Sequence, residues 1–140
     1  MAFLIDSNVL IDVSRGNAAA IKYVDALTEP WALSQVTALE LIVGARDKRD
    51  LAVIDDFLSL YSIAPLNDEI GKRAYGLLKV YAKSHGLHVF DSLIAATAIE
   101  NGFTLLTLNR KHYQMIDGLK IQVPDYWGQT DSTTPRAGAE

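Results

Sequence analysis

Short apolar runs alternate along this chain with longer stretches in which apolar residues recur every three or four positions. Ala2-Phe3-Leu4-Ile5 is continuous and apolar, as a strand buried on both faces should be, and it stops at Asp6. Asn8-Val9-Leu10-Ile11-Asp12-Val13 follows as a short helix, and Ser14-Arg15-Gly16-Asn17 breaks it. Asn17 is placed to cap a helix from Ala18 to about Leu27, with Ile21, Val24 and Leu27 on one side. Glu29-Pro30 ends that helix, and Trp31-Ala32-Leu33-Ser34 is a second short strand.

Ser34 or Thr37 opens the next helix, which carries Glu40 and closes near Gly44. Asp50 to Leu60 is a further helix, expected to turn Val53, Ile54, Phe57 and Leu58 inward. Tyr61-Ser62-Ile63-Ala64-Pro65 is a weak strand, and its proline assigns it to a sheet edge. Asn67 caps a long helix to about His85, striped by Ile70, Ala74, Leu77, Leu78 and Tyr81, with Gly86 as its C-terminal stop. Phe90 to Glu100 is helical, Asn101-Gly102 closes it, and Phe103 to Thr107 is a strand. Asn109 to Met115 is a loop or single turn, and Leu119 to Val123 a last strand.

Strands that alternate with helices predict an α/β fold, a parallel sheet flanked by helices on both faces. Binding sites in such sheets lie beyond the C-terminal strand ends. Asp6 and Thr107 both fall at such ends. One domain over residues 1–127 is expected, followed by a Gly-, Ser-, Thr- and Pro-rich tail over 128–140.

Composition narrows the chemistry. Of the 140 residues 49% are hydrophobic and 21% charged, enough for a real core, and no apolar run approaches a membrane span. The first residues carry no basic segment ahead of their apolar run, so a strand is expected there rather than a secretory signal, in a cytoplasmic protein. With no cysteine, disulfides and thiolate metal sites are excluded. Three scattered histidines make a poor zinc site.

Three acids stand where apolar residues belong. Asp6 ends the first strand, Glu40 interrupts Ala38-Leu39-Glu40-Leu41-Ile42-Val43, and Asp91 lies between His88-Val89-Phe90 and Ser92-Leu93-Ile94. A carboxylate in apolar surroundings is costly unless it is paired or holds a metal. Asp6 and Asp91 have an alternative role as helix caps. Glu40 sits mid-helix, and its alternative is a buried ion pair with Arg46 or another cation distant in sequence. If the three converge, an oxygen-only set suits Mg²⁺ or Mn²⁺, and the matching reaction is phosphodiester hydrolysis. Removing their three charges from the net −4 leaves −1, so the acidic balance says little about the substrate.

Four fragments in order resemble PIN-domain ribonucleases, most closely the VapC-type toxins of prokaryotic toxin–antitoxin pairs. They are Ile5-Asp6-Ser7-Asn8-Val9-Leu10-Ile11; Thr37-Ala38-Leu39-Glu40-Leu41 with Gly44-Ala45-Arg46; Asp91-Ser92-Leu93-Ile94-Ala95-Ala96-Thr97-Ala98 with Gly102; and Leu105-Leu106-Thr107-Leu108-Asn109 with His112-Tyr113. The resemblance spans about residues 2 to 124. It implies a PIN-like (Rossmann-like) sheet and a Mg²⁺-dependent endoribonuclease, commonly a homodimer, silenced by a cognate antitoxin. It makes Asp6, Glu40 and Asp91 the metal-binding and catalytic acids, with Ser7, Asn8 and Thr107 in support. Asn109 stands near the place of a fourth acid. In-line attack by a water that a carboxylate such as Asp91 orients would leave 5′-phosphate and 3′-hydroxyl ends.

For RNA phosphates the candidates are Arg15, Arg46, Arg110 and Lys111, although plain surface charge is the readier reading of each. Lys72, Lys79 and Lys83 form a helical stripe better read as a solvated face. No aromatic stacking platform is visible, so sequence preference is unreadable, though structured RNA such as tRNA fits the resemblance. Two other functions remain. A Mg²⁺-dependent phosphatase or receiver-like protein would want a second acid beside Asp6, where Ser7 and Asn8 stand. A non-catalytic PIN-like RNA-binding module has no need of all three acids.

Overall fold

The computed structural model describes residues 2–126, so Trp127 and the segment 128–140 lie outside it. Five strands run β1 (Phe3–Ile5), β2 (Trp31–Ser34), β3 (Ile63–Ala64), β4 (Thr104–Leu106) and β5 (Ile121–Gln122). They form one sheet in the order β3-β2-β1-β4-β5, every pairing parallel. The expected α/β architecture is therefore present, with the proline-flanked β3 at an edge.

The helices are α1 (Ser7–Ser14), α2 (Ala18–Asp25), α3 (Gln35–Val43), α4 (Lys48–Leu58), α5 (Asp68–His85), α6 (Val89–Asn101) and the single turn α7 (Arg110–Tyr113). Several boundaries follow the side-chain chemistry. The carboxamide oxygens of Asn17 and Asn67 accept from Ala20 N at 3.0 Å and Ile70 N at 2.9 Å, capping α2 and α5. Ser34 caps α3 through Val36 N. Gly86 ends α5 at φ 70°, a left-handed conformation that glycine alone adopts without strain.

Side chains alternate across the sheet and feed two cores. Leu4, Ala32 and Leu105 point to the face covered by α5 and α6, where Ile70, Ala74, Leu77, Ile94 and Tyr113 pack. Phe3, Ile5, Leu33 and Leu106 point to the opposite face with Val9, Leu10, Val24, Leu41 and Leu58. Two helical stripes are rotated from expectation. Val53 is 60% exposed, so α4 packs through Ile54, Phe57 and Leu58, and α2 buries Ala20 and Val24 while Ile21 is exposed. Short amphipathic helices carry more apolar residues than their contact faces accommodate, so periodicity alone misplaces the edges of the stripe. Among the described residues, no helix is long and apolar enough to cross a membrane.

The strand order sets the position of the site. From β1 the chain steps outward to β2 and β3, then returns to place β4 on the other side of β1. Connections therefore diverge at the C-terminal ends of β1 and β4, where sheets of this kind leave a crevice. Ile5 is paired with Leu106, so the next residues, Asp6 and Thr107, emerge side by side.

Candidate active site

Asp6 is the innermost acid, 3% exposed. It caps α1, its Oδ1 accepting from Ser7 N at 2.8 Å. Its Oδ2 accepts from Thr107 Oγ1, also at 2.8 Å. The Thr107 hydroxyl has only one proton, and its oxygen already accepts from Asn109 N at 3.0 Å and Asn8 Nδ2 at 3.3 Å. That proton is thereby directed at Asp6. Asn8 is oriented in turn by Leu108 N, which donates to its Oδ1 at 3.3 Å. Capping and site-building are thus one role for Asp6, because the cap aims the carboxylate along the strand exits.

Asp91 lies in the first turn of α6 without capping it; the N-cap position is His88, whose side chain makes no cap bond. Its Oδ1 accepts from the Tyr113 hydroxyl at 3.1 Å, and its Oδ2 lies 3.6 Å from His112 Nδ1. The Asp91 side chain keeps 21% of its surface exposed, so it is the more open of the two aspartates.

Glu40 arrives from α3, which packs against both α1 and α6 and so stands between the elements bearing Asp6 and Asp91. The ion pair with Arg46 is not formed. Arg46 instead reaches Asp50 at 3.4 Å, and its backbone N–H donates to the same carboxylate at 2.9 Å. Glu40 Oε1 is buried without a hydrogen-bond partner, as are Thr37 Oγ1 and Asn109 Oδ1.

The three charges act on one another. Burial raises the proton affinity of Asp6, opposed by the Thr107 and Ser7 hydrogen bonds and reinforced by the charge of Asp91. Glu40 rises from 4.5 to about 7, first through desolvation, then through the charges of Asp6 and Asp91; the Ser7 hydroxyl pulls the other way. Helix placement also differs among the three. Asp6 and Asp91 sit at helix N-termini, where the peptide dipoles favour negative charge. Glu40, in the body of α3, has no such support.

Among the described residues, no three of His, Cys, Asp and Glu are drawn together tightly enough to form a ready-made metal cluster. Two like charges ~4 Å apart repel by about 4 kcal/mol at an effective dielectric near 20, which favours a splayed arrangement of bare carboxylates. The donor set nonetheless fits a hard divalent cation. All the donors are oxygens, one Glu40 oxygen is an orphan, and the acids hold more negative charge than their surroundings balance.

A groove of about 530 Å³ opens between α1, α3 and α4, with Glu40 in its wall. Ile11, Leu41, Ile54 and Phe57 give it an apolar lining, and Arg15 and Arg46 add positive charge. Arg110 and Lys111 lie elsewhere, exposed on α7 just beyond Thr107. The lysine stripe on α5 is engaged locally: Lys72 is 3.9 Å from Glu69, and Lys79 lies over the Tyr75 ring. Tyr113 and Thr37 were not among the residues singled out for the site. Thr37 lies one turn before Glu40 on the same helical face, a spacing visible in the sequence. Tyr113 belongs to the His112-Tyr113 pair of the fourth resembling fragment, but nothing in the sequence marks its hydroxyl as part of the site.

Residues 3–117 match the profile of the PIN domain family. Ribonuclease VapC1 of Rickettsia felis is 31% identical over 135 residues, covering 86% of this chain and 95% of that protein. Ribonuclease VapC10 of Mycobacterium tuberculosis is 35% identical over 122 residues, covering 84% and 90%. Among solved structures, a toxin–antitoxin complex from Klebsiella pneumoniae superposes with a TM-score of 0.70 at 29% identity, covering 84% of this chain and 94% of that one.

Proposed function

This chain belongs to the PIN-domain family, and from that premise we propose that it is a divalent-metal-dependent endoribonuclease, the toxin half of a toxin–antitoxin pair. One observation carries the reading. Far apart in sequence, the acids interact at the C-terminal rim of the sheet: the charge of Asp91 raises the proton affinity of Asp6, and those of Asp6 and Asp91 raise that of Glu40. Such a surplus of buried negative charge is what a cation relieves.

Asp6, Glu40 and Asp91 would hold Mg²⁺ or Mn²⁺, which when bound lowers the pKa of a water and steadies negative charge on the departing oxygen. The chain's own groups do the rest. Thr107 Oγ1 and Ser7 N fix the inner carboxylate of Asp6 so that it does not rotate as substrate enters. Asn8 and Asn109 N hold Thr107 in its donating orientation. Asp91, tethered at one oxygen and more open at the other, orients the attacking water and takes its proton. Arg110 and Lys111 on one side, and Arg15 and Arg46 in the groove, are positioned for RNA phosphates.

The groove suits an apolar helix of a partner protein. Because Glu40 lies in its wall, an occupant would also cover the site, which is how an antitoxin would silence the enzyme.

The test is cleavage of structured RNA, tRNA included, with Mg²⁺, with excess EDTA, and with Asp91→Asn. EDTA and the substitution should each abolish cleavage, and the Mg²⁺ products should carry 5′-phosphate and 3′-hydroxyl ends. Cleavage that survives both, or 2′,3′-cyclic phosphate ends, would defeat the reading.

A further inference from the structure

We propose that Tyr113 is a positioning residue whose hydroxyl holds Asp6 and Asp91 at a set separation and orientation for a shared divalent cation. The proposal rests on the metal-dependent reading above and adds a residue to it.

The aromatic ring is fixed by packing. Tyr113 is 1% exposed and belongs to the core beneath α5 and α6, together with Ile94 and Leu105. It ends the single turn α7, which packs against α6. The hydroxyl therefore projects from a rigid base, and it projects into the acids. It donates to Asp91 Oδ1 at 3.1 Å and lies near enough to Asp6 to favour that carboxylate as well.

A phenol has one proton, so one O–H dipole lies between two carboxylates. A tyrosine hydroxyl is protonated at neutral pH and so serves as a neutral donor. A donor in that place lessens the mutual repulsion of Asp6 and Asp91 and restricts rotation of Asp91. The second Asp91 oxygen, the one nearer His112, is left available. Filling the core does not account for the hydroxyl, since a phenylalanine ring would occupy the same volume. A buried hydroxyl needs a partner, and its partner here, Asp91, is an acid assigned to the cation. Groups that orient metal ligands in this way commonly contribute tenfold or more to affinity.

The experiment is calorimetric titration of the full chain with Mn²⁺, for wild type, Tyr113→Phe, Asp91→Asn and the double variant, with thermal melts of each metal-free protein. Tyr113→Phe should weaken Mn²⁺ binding by about tenfold or more while the metal-free melt stays close to wild type. In the Asp91→Asn background the same change should cost little further, because the carboxylate it orients is no longer a ligand. Equal or tighter Mn²⁺ binding by Tyr113→Phe would overturn the proposal, as would fully additive losses in the double variant. A lowered melt with unchanged Mn²⁺ affinity would make Tyr113 a packing residue only. Wild-type protein that binds no Mn²⁺ would instead remove the metal-dependent reading, and this proposal with it.

Discussion

Replacing Glu40 with Gln should change how stability depends on pH, and the sign follows from the direction of its shift. The group titrates near 4.5 when exposed and at about 7 in the folded chain. Between these values the folded state binds more protons than the unfolded state, so stability falls as pH rises through the window. Below it the group is protonated in both states and contributes no penalty. Above it the carboxylate is ionised in both, and the full penalty remains. A rise from 4.5 to about 7 would correspond to about 3 kcal/mol if carried over whole. Glu40 is only half-buried, and solvent screening reduces this to on the order of 1–2 kcal/mol.

The assay is urea unfolding of EDTA-treated protein, wild type against Glu40→Gln, from about pH 5 to about pH 8. The quantity read is the difference between the two curves, because most other titrating groups are common to both. At the alkaline end the variant should be more stable than wild type by about 1–2 kcal/mol, and at the acid end that advantage should shrink towards zero. Asp6 is shifted in the same direction, so the variant retains some slope of its own. Saturating Mg²⁺ should reverse the ranking at high pH, since it binds the ionised acids of the wild type. Parallel curves, or a variant whose advantage grows as pH falls, would refute the electrostatic account of the site.

Thr107→Val keeps shape but removes the hydroxyl donor to Asp6 Oδ2 and the acceptor for Asn109 N and Asn8 Nδ2. Leaving buried polar groups unsatisfied should cost about 2–4 kcal/mol in chemical denaturation and most of the RNase activity, whereas Thr107→Ser should retain most of both. Gly86→Ala meets no atom within 4 Å but must adopt φ 70°, so it should lose about 1 kcal/mol in the same assay without affecting cleavage.

Much of the fold was legible because local signals agreed with one another. Asn17, Asn67, Gly86 and Gly102 mark helix ends by side-chain or backbone chemistry that acts within a few residues, and the chain obeys each. The parallel sheet followed from alternation of strands and helices. The facing of α2 and α4 was not legible. Ile21 and Val53 have the right period but lie outside the contact that the neighbouring elements leave, and which residues a helix buries depends on what is packed against it.

The site shows the same division between local and non-local information. Each acid was conspicuous alone, because a carboxylate in an apolar run breaks a pattern. What the pattern does not contain is the difference in treatment among the three. Asp6 caps α1 and is satisfied at both oxygens by groups on α1 and the β4 exit. Asp91 is tethered by a core tyrosine that no periodicity distinguishes from its apolar neighbours. Glu40 is left with a buried orphan oxygen and a proton affinity raised by desolvation and by the charges of Asp6 and Asp91. A cation shared by the three relieves this unfavourable charge, so binding should release protons near neutral pH, with Glu40 among their sources. The fold thus supplies two fixed carboxylates at helix starts and a third under electrostatic tension, and the strand register that sets Asp6 beside Thr107 makes the first of them rigid.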